Sequence, residues 1–274
     1  MRLVDSHCHL QVDRFDADRD EVIARALEAG VERILVPGWN TWSSEAAVAL
    51  VERIPWLDAS VGVHPHDAAK VPSPEWAEIE RWARDDRVVA IGETGLDFDR
   101  VFSPIPDQLD NLRRNLALAV ALGKPAILHC RSAGGLRDAQ DALLAELLAA
   151  GFADPAVVAP FGGRPPAVIH SFSGPVDYAR DMLALGVSIS FSGLVFRTGE
   201  EASADVAPLV PAERLLVETD SPYLSPPGGP RRRNEPAAVR VTAGWVAERR
   251  AVVAPEPTDF VAAYDTIFSR PGRS

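Results

Sequence analysis

The sequence predicts an α/β fold, a single (β/α)8 barrel of the TIM type with its active site at the carboxyl-terminal rim of the strands. The chain has 274 residues, and barrels of this class commonly form one domain of about 250 residues. Short β-rich runs alternate with helical patterns up to an eighth strand, and parallel strands need such long crossovers. An open doubly wound sheet is the alternative, but the alternation uses nearly the whole chain. Because no linker or shift in composition divides the sequence, we expect one domain over residues 1–274.

The eight strands are predicted from short aliphatic and β-branched runs bounded by polar or turn-forming residues. Each is followed by a helical pattern, so all eight should run in the same direction. The predicted limits are Leu3–Asp5, Arg33–Pro37, Leu57–Val63, Val88–Ile91, Ala126–Leu128, Ala167–Ile169, Val187–Ser190 and Leu215–Val217.

The segments between the strands carry apolar residues at helical spacing. Gly30, Gly123, Gly151 and Gly186 follow four of them, at the position where a left-handed residue commonly ends a helix. Ser43 or Ser44 is expected to cap the second helix. The predicted helices are 20–29, 43–53, 74–84, 107–122, 136–150, 176–185, 236–250 and 258–268, with a short helix within 200–209 and a surface insertion at 151–166.

Composition excludes several classes of function. With 47% hydrophobic residues the chain is not disordered, and it has no apolar run near 18 residues that would span a membrane. A net charge of -11 argues against broad electrostatic binding of nucleic acid, so a polyanionic substrate requires a local positive centre. The N-terminus lacks the apolar core of a signal peptide. Two cysteines, Cys8 and Cys130, are too few for a disulfide framework and indicate free thiols in the cytoplasm.

All six histidines follow or end predicted strands, which places them on one rim of the barrel. The carboxyl ends of barrel strands form the active-site face, and residues i and i+2 of an extended segment point the same way. Two imidazoles at that spacing can therefore reach one metal ion. The six are His7, His9, His64, His66, His129 and His170.

Two carboxylates complete the pattern, because Glu93 follows the fourth strand and Asp220 follows the eighth. This donor set is too large for one tetrahedral metal and suits two divalent ions that share a bridging carboxylate and a bridging water or hydroxide. Some two-metal barrels bridge with a carboxylated lysine on strand four. Here the only lysines are Lys70 and Lys124, neither of them suitably placed, so Glu93 is expected to bridge.

Seven motifs then give the sequence a close resemblance to the TatD family of metal-dependent deoxyribonucleases, within the amidohydrolase-like barrels. They appear in the family's order over nearly the whole chain. The motifs are DSHCHL at 5–10, GVHPH at 62–66, GETGLD at 92–97, ILHCRSA at 127–133, IHSFSG at 169–174, ETDSPYL at 218–224 and RRRNEP at 231–236.

The resemblance implies a ligand set and a substrate. One ion would be held by His7, His9, Glu93 and Asp220, and a second by Glu93, His129 and His170. His64 is expected near the substrate phosphate. The reaction implied is hydrolysis of a phosphodiester, most plausibly in DNA, with two divalent ions (Mg, Mn or Zn).

Further residues on the same rim are assigned by their chemistry. Asp220 is a reasonable proton acceptor from the attacking water. Arg131 and the run Arg231, Arg232 and Arg233 are candidate phosphate clamps, since the arginine fork suits phosphate. Trp39 is a candidate for stacking on a base, and Glu218 and Thr219 are expected to orient the metal-binding histidines.

Two other functions remain open from the sequence. A metal-dependent esterase, lactonase or deacylase of a small or tRNA-linked substrate would use the same ligands, because fold does not fix substrate. A non-catalytic metal-bound scaffold is the other, although the intact ligand set disfavours it. The sequence gives no sign of membrane contact or of an obligate protein partner.

Overall fold

The computed structural model describes residues 2–229, 232–252 and 258–269. Eight parallel strands form one sheet in which each strand pairs with the next along the chain. The predicted α/β barrel is thereby confirmed. The strands are β1 Leu3–Asp5, β2 Val31–Pro37, β3 Asp58–Val61, β4 Val88–Asp97, β5 Ala126–Arg131, β6 Ala167–Ile169, β7 Ser188–Phe191 and β8 Leu215–Val217.

The barrel closes between β8 and β1 through backbone hydrogen bonds at the carboxyl-terminal end. The amide of Ser6 donates to the carbonyl of Val217 at 3.1 Å, and the amide of Asp220 donates to the carbonyl of His7 at 2.9 Å. An isolated parallel bridge joins Cys8 to Ser221 just beyond the strands. Closure therefore brings the residues after β8 directly beside those after β1.

Helices cover the outside of the sheet. Their apolar faces pack on the strands in one continuous core, and no helix within the described parts of the chain is long and apolar enough to cross a membrane. The helices are α1 Arg19–Glu28, α2 Thr41–Arg53, α3 Ser73–Trp82, α4 Ile105–Leu122, α5 Asp138–Ala149, α6 Pro155–Val158, α7 Val176–Ala184, α8 Ser203–Val206, α9 Val239–Arg250 and α10 Phe260–Ile267. Short 3-10 turns lie at Asp13–Phe15, Pro65–Asp67, Ala159–Phe161, Gly193–Phe196, Ala207–Leu209, Ala212–Arg214 and Pro236–Ala238.

Several predicted boundaries were wrong, among them the end of β5, which runs to Arg131, the start of α2 and the end of β4. The cap of α2 is Asn40 and not a serine: the Asn40 side chain accepts from the Ser43 amide, and the Ser43 hydroxyl accepts from the Asn40 amide, both at 2.9 Å. The strand β4 runs to Asp97, six residues beyond the predicted end. The strand continues through Gly92 and Gly95 although both have a positive φ, of 136° and 131°.

Candidate metal centre

The rim of the barrel gathers the side chains that the sequence singled out. His7 and His9 follow β1, His64 follows β3, and His170 follows β6. Because β4 and β5 are longer than predicted, Glu93 and His129 lie inside strands and are held by the sheet itself.

Glu93 is the hub of this cluster and is 4% exposed. Its Oε1 lies 2.9 Å from Nε2 of His170 and 3.3 Å from Nδ1 of His129. Its Oε2 lies 3.3 Å from Nε2 of His7 and 4.0 Å from Nε2 of His9. Nε2 of His64 also lies 3.2 Å from Oε1, so the two oxygens of one carboxylate face two different groups of imidazoles.

Electrostatics keep the Glu93 carboxyl ionised. Burial alone would raise its pKa, but the imidazoles of His64, His170 and His7 outweigh burial and hold the pKa well below its usual range. A buried carboxylate surrounded by imidazole nitrogens favours the binding of a metal cation.

Asp220 adds the carboxylate on the side of β1. Its Oδ1 lies 3.3 Å from Nε2 of His9 and 3.8 Å from Nε2 of His7. The backbone of Asp220 is left-handed, with φ of 53°, a conformation that costs a non-glycine residue about 1–3 kcal/mol and is characteristic of functional sites.

The donor atoms are close enough to surround ions. Each of three triads keeps its ligand atoms within 4.8 Å of one another. Neither ring nitrogen of the fully buried His7 has a hydrogen-bond partner among the described residues. Buried polar atoms without partners are costly, and imidazole with carboxylate suits divalent Zn, Mn or Fe, so these residues fit a metal. The triads are His7/His9/Asp220, His7/Glu93/His170 and His64/Glu93/His129.

His64 stands close to Glu93, and a backbone hydrogen bond fixes its tautomer. Its Nδ1 accepts a hydrogen bond from the backbone amide of His66 at 3.1 Å. Burial, despite Glu93 beside it, lowers the pKa of His64 to about 4, so the ring is neutral at pH 7 and its one proton is on Nε2. That atom is 3.2 Å from Oε1 of Glu93. In this tautomer the Nε2–H of His64 is a hydrogen-bond donor directed at the Glu93 carboxylate.

Two further carboxylates contact the ring nitrogens of the histidines. Oε1 of the fully buried Glu218 lies 3.3 Å from Nδ1 of His170. Oδ2 of Asp97 lies 3.4 Å from Nε2 of His129 and 2.7 Å from Nε2 of His66. Such partners fix the tautomer and orientation of a metal-binding imidazole. Glu218 was expected in this role, whereas the sequence reasoning assigned nothing to Asp97.

The signal for Asp97 was present in its spacing. Asp97 is four residues after Glu93, and alternate residues of a strand face the same side. A strand predicted to end at Ile91 could not show this relation. Thr219, the other residue expected to orient the histidines, donates its hydroxyl hydrogen to Asp5 at 2.5 Å. Its side chain therefore contacts Asp5 and not an imidazole.

The structure places the candidate phosphate-binding arginines in different surroundings. Arg131 lines the cleft and its Nε donates to Asp99 at 2.7 Å. Arg232 is exposed, and Arg231 lies outside the described residues. Arg233 is directed away: both of its terminal nitrogens donate to Asp18 at 2.6 Å, and its guanidinium lies 4.7 Å from the Phe15 ring centroid.

A cleft of about 590 Å³ opens over the cluster. Besides Arg131, it is lined by the cationic side chains of Lys70 and Arg100, neither of which the sequence reasoning assigned to substrate binding. The rings of Trp39, Phe102 and Tyr223 also line it. The cleft therefore combines a set of metal donors, a few cations and aromatic surface.

Comparisons with known proteins agree with this geometry. The family model described as TatD related DNase matches residues 4–263. The 3'-5' ssDNA/RNA exonuclease TatD of Cronobacter turicensis is 40% identical over 240 residues, which is 85% of both chains. The uncharacterized metal-dependent hydrolase YabD of Bacillus subtilis is 33% identical over 90% of both chains.

Solved structures show the same relationship. YJJV, a TatD homolog from Escherichia coli, superposes with a TM-score of 0.83 at 29% identity, over 98% of this chain and 99% of that one. A TatD family hydrolase from Entamoeba histolytica superposes with a TM-score of 0.80 at 22% identity, over 98% of both chains, which shows the shared fold.

Proposed function

The chain belongs to the family of TatD-related DNases. From that premise we propose that two divalent ions bind at the rim of the barrel, and that the enzyme removes nucleotides from single-stranded nucleic acid. Membership makes the protein a metal-dependent hydrolase of phosphodiester bonds. The number of ions, the ligands and the substrate are the proposal. Relatives named 3'-5' ssDNA/RNA exonuclease, at 39–40% identity, are the basis for the substrate and direction.

The arrangement of Glu93 carries the two-ion proposal. Its Oε2 faces His7 and His9, the two histidines that also contact Asp220, and its Oε1 faces His64, His129 and His170. A carboxylate whose two oxygens face different groups of imidazoles supports a bridging role for Glu93 between two ions. We take Mg, Mn and Zn as the candidate ions.

Side chains of the protein bind the substrate phosphate and transfer protons. Divalent ions at such a site acidify a water and polarise a phosphoryl oxygen. Asp220 is partly solvent-accessible and adjacent to the cluster, so it is placed to accept the proton of the attacking water. Nε2–H of His64 is placed to donate to a phosphate oxygen, and Arg131 adds a cation at the cleft wall.

A variant series tests the ligand assignment. Glu93→Gln and His129→Ala are expected to abolish metal-dependent cleavage while the circular dichroism spectrum stays native. Glu52→Gln, on the exposed face of α2, is the matched control for loss of one carboxylate. Full activity of both site variants would overturn the proposal.

Substrate and direction need a second experiment. Single- and double-stranded DNA and RNA oligonucleotides, labelled at either end, are incubated with Mg, Mn or Zn and sampled over time. A ladder of single-nucleotide steps from the 3' end of single strands is expected. Cleavage of nitrophenyl esters with no cleavage of any oligonucleotide would instead assign an esterase to the same site.

We also place the protein in the cytoplasm. The support is that Cys8 and Cys130 are both buried free thiols, as expected in a reducing compartment. Fluorescence microscopy of a tagged chain in a bacterial host tests this.

A further inference from the structure

Three aromatic side chains stand together at one side of the metal cluster, and we call them the aromatic wall: Trp39, Trp42 and Tyr223. The ring centroids of Trp39 and Trp42 are 5.9 Å apart in an edge-to-face arrangement. Trp42 is 56% exposed and Tyr223 is 52% exposed. Large aromatic rings are usually buried in soluble proteins, so two half-exposed rings beside a functional cleft are informative.

The wall is continuous with the site through His9. The Trp39 ring meets the His9 ring edge-to-face, with centroids 5.1 Å apart, and the Tyr223 ring lies 5.9 Å from the same imidazole. Trp42 is thus two ring contacts away from a proposed metal ligand. A group bound on the wall would be adjacent to whatever is bound at the ions.

The local fold holds the wall in place. Trp39 and Trp42 bracket the cap of α2, where the hydroxyl of Ser43 accepts from the backbone amides of Trp39 and Asn40 at 2.8 and 2.9 Å. On the other side, the backbone amide of Tyr223 donates to the carbonyl of Asp220 at 2.8 Å. Both halves of the wall are therefore tied to the residues that position the site.

The chemistry of the surroundings identifies what the wall can bind. The cleft carries cationic side chains that suit a phosphodiester backbone, and Trp39 and Tyr223 of the wall line it with aromatic rings. The Arg14 guanidinium lies 5.7 Å from the Tyr223 ring centroid and adds a cation beside the wall. A single-stranded nucleotide has this same division, with an anionic phosphate and a flat base attached through the sugar. Stacking of bases on aromatic side chains is sequence-tolerant and requires bases that are unpaired.

We propose that the aromatic wall stacks the base next to the scissile phosphodiester and thereby selects single strands. This inference rests on the proposed nuclease function of the same site. Trp42 and Tyr223 then act as specificity-determining residues, because a base held in a duplex could not lie against them. Their contribution should appear in substrate binding and in the preference for strands that carry bases.

The test compares two oligonucleotide substrates of equal length and charge. One is an ordinary single strand and the other carries abasic tetrahydrofuran residues at its 3' end. Trp42→Ala is expected to raise KM for the ordinary strand about 5- to 20-fold, with kcat changed less. The ratio of kcat/KM between ordinary and abasic strands should fall by the same factor. Trp42→Phe should restore most of that ratio, and Tyr223→Ala should lower it independently.

A control and two contradicting outcomes make the test decisive. Leu148→Ala removes a side chain that is 49% exposed near the end of α5, and should not change the ratio. An unchanged ratio in Trp42→Ala and Tyr223→Ala overturns the stacking proposal. This includes an equal loss on ordinary and abasic strands, which would show a structural role for the two side chains. Failure of the wild-type protein to cleave either strand with any metal contradicts the nuclease proposal itself.

Discussion

At the scale of single residues, the Glu93 carboxylate determines what the rim can hold. It is anionic and buried, and each oxygen faces imidazole nitrogens within 2.9–4.0 Å. A neutral group of the same shape would leave the surrounding imidazole nitrogens facing one another with no negative charge between them. The anion therefore organises the site before any ion binds.

Asp97 is expected to matter for metal affinity although it lies outside the proposed ligand set. Its Oδ2 lies 3.4 Å from His129 Nε2 and 2.7 Å from His66 Nε2. Asp97→Asn keeps the shape and removes the charge that orients His129. We expect a 10- to 100-fold loss of affinity for the more weakly held Mn²⁺ ion, measured by isothermal titration calorimetry.

The control for this variant is Asp141→Asn. Asp141 is 62% exposed on α5 and pairs with Arg137, so its loss should leave Mn²⁺ binding unchanged. If Asp97→Asn binds both ions with wild-type affinity, Asp97 does not position His129.

Residue types at strand ends could be predicted from the sequence, whereas side-chain partners could not. His7 and Glu93 were found because the rim of a barrel collects residues that are distant in the chain. Arg233 shows the opposite case. It lies near the rim in the sequence, but its guanidinium binds Asp18, and no pattern in the sequence reveals that pairing.

At the scale of elements, β4 and β5 position the metal cluster through an unusually close backbone contact. At Gly95 the backbone has φ of 131°, and a Cβ atom there would collide with the backbone carbonyl of His129. Gly92 is similarly close to Ile127: a Cβ atom would lie 2.7 Å from its carbonyl oxygen. Glycine at these positions lets the two strands carry Glu93 and His129 side by side.

Gly95→Ala is therefore expected to displace β5 at His129. We expect a loss of at least about 3 kcal/mol in the free energy of unfolding, together with loss of metal binding. Urea denaturation and metal titration measure the two effects.

Gly135→Ala is the control that separates the effect of a steric clash from the effect of backbone strain. Gly135 also has a positive φ, of 80°, but a Cβ there meets no atom of the described residues within 4 Å. It should cost only about 1 kcal/mol and leave metal binding intact. Equal effects of the two substitutions would contradict the role given to Gly95.

The turn between α3 and β4 gives a pH-dependent prediction at the opposite end of the barrel. The side chain of Arg87 donates to both oxygens of Asp85 at 2.9 and 2.7 Å and holds the pKa of Asp85 at about 2. Lys124 donates to the Asp85 carbonyl at 2.8 Å. A lowered folded-state pKa stabilises the fold above pH 4, and this contribution is lost as pH falls towards 2.

Asp85→Asn is expected to lower the free energy of unfolding at pH 7 by about 1–2 kcal/mol, after allowance for solvent screening. The difference from wild type should shrink by about half at pH 3. Urea denaturation at the two pH values measures it, with the exposed neighbour Asp86→Asn as control. A difference that is independent of pH would show that the ion pair is not its source.

Element order could be predicted because each strand and helix has its own local pattern, but several boundaries could not, and two of them show why. The end of β4 depends on pairing with β5 through Asp97 and Arg131, a contact between distant segments. The cap of α2 depends on which of several suitable polar residues the preceding loop brings into position, and Asn40 is that residue. Tertiary context decides both.

At the scale of the whole molecule, the charge of -11 and the acidic substrate are compatible because the positive charge is local. Two divalent ions would add about four positive charges at one rim, close to Arg131, Lys70 and Arg100. The remaining surface repels a polyanion, so the protein should contact only the few phosphates that enter the cleft.

Binding should accordingly depend on metal and only weakly on salt. A phosphorothioate-linked single strand that resists cleavage can be titrated by fluorescence anisotropy with Mg²⁺ or with EDTA. We expect Kd to rise at least about tenfold in EDTA, because most of the positive charge leaves the rim. For two or three phosphate contacts, log K should fall against log salt with a slope of about -1.4 to -2.1. Equal affinity after chelation, or a slope steeper than about -5, would mean that an extended basic surface elsewhere binds the strand.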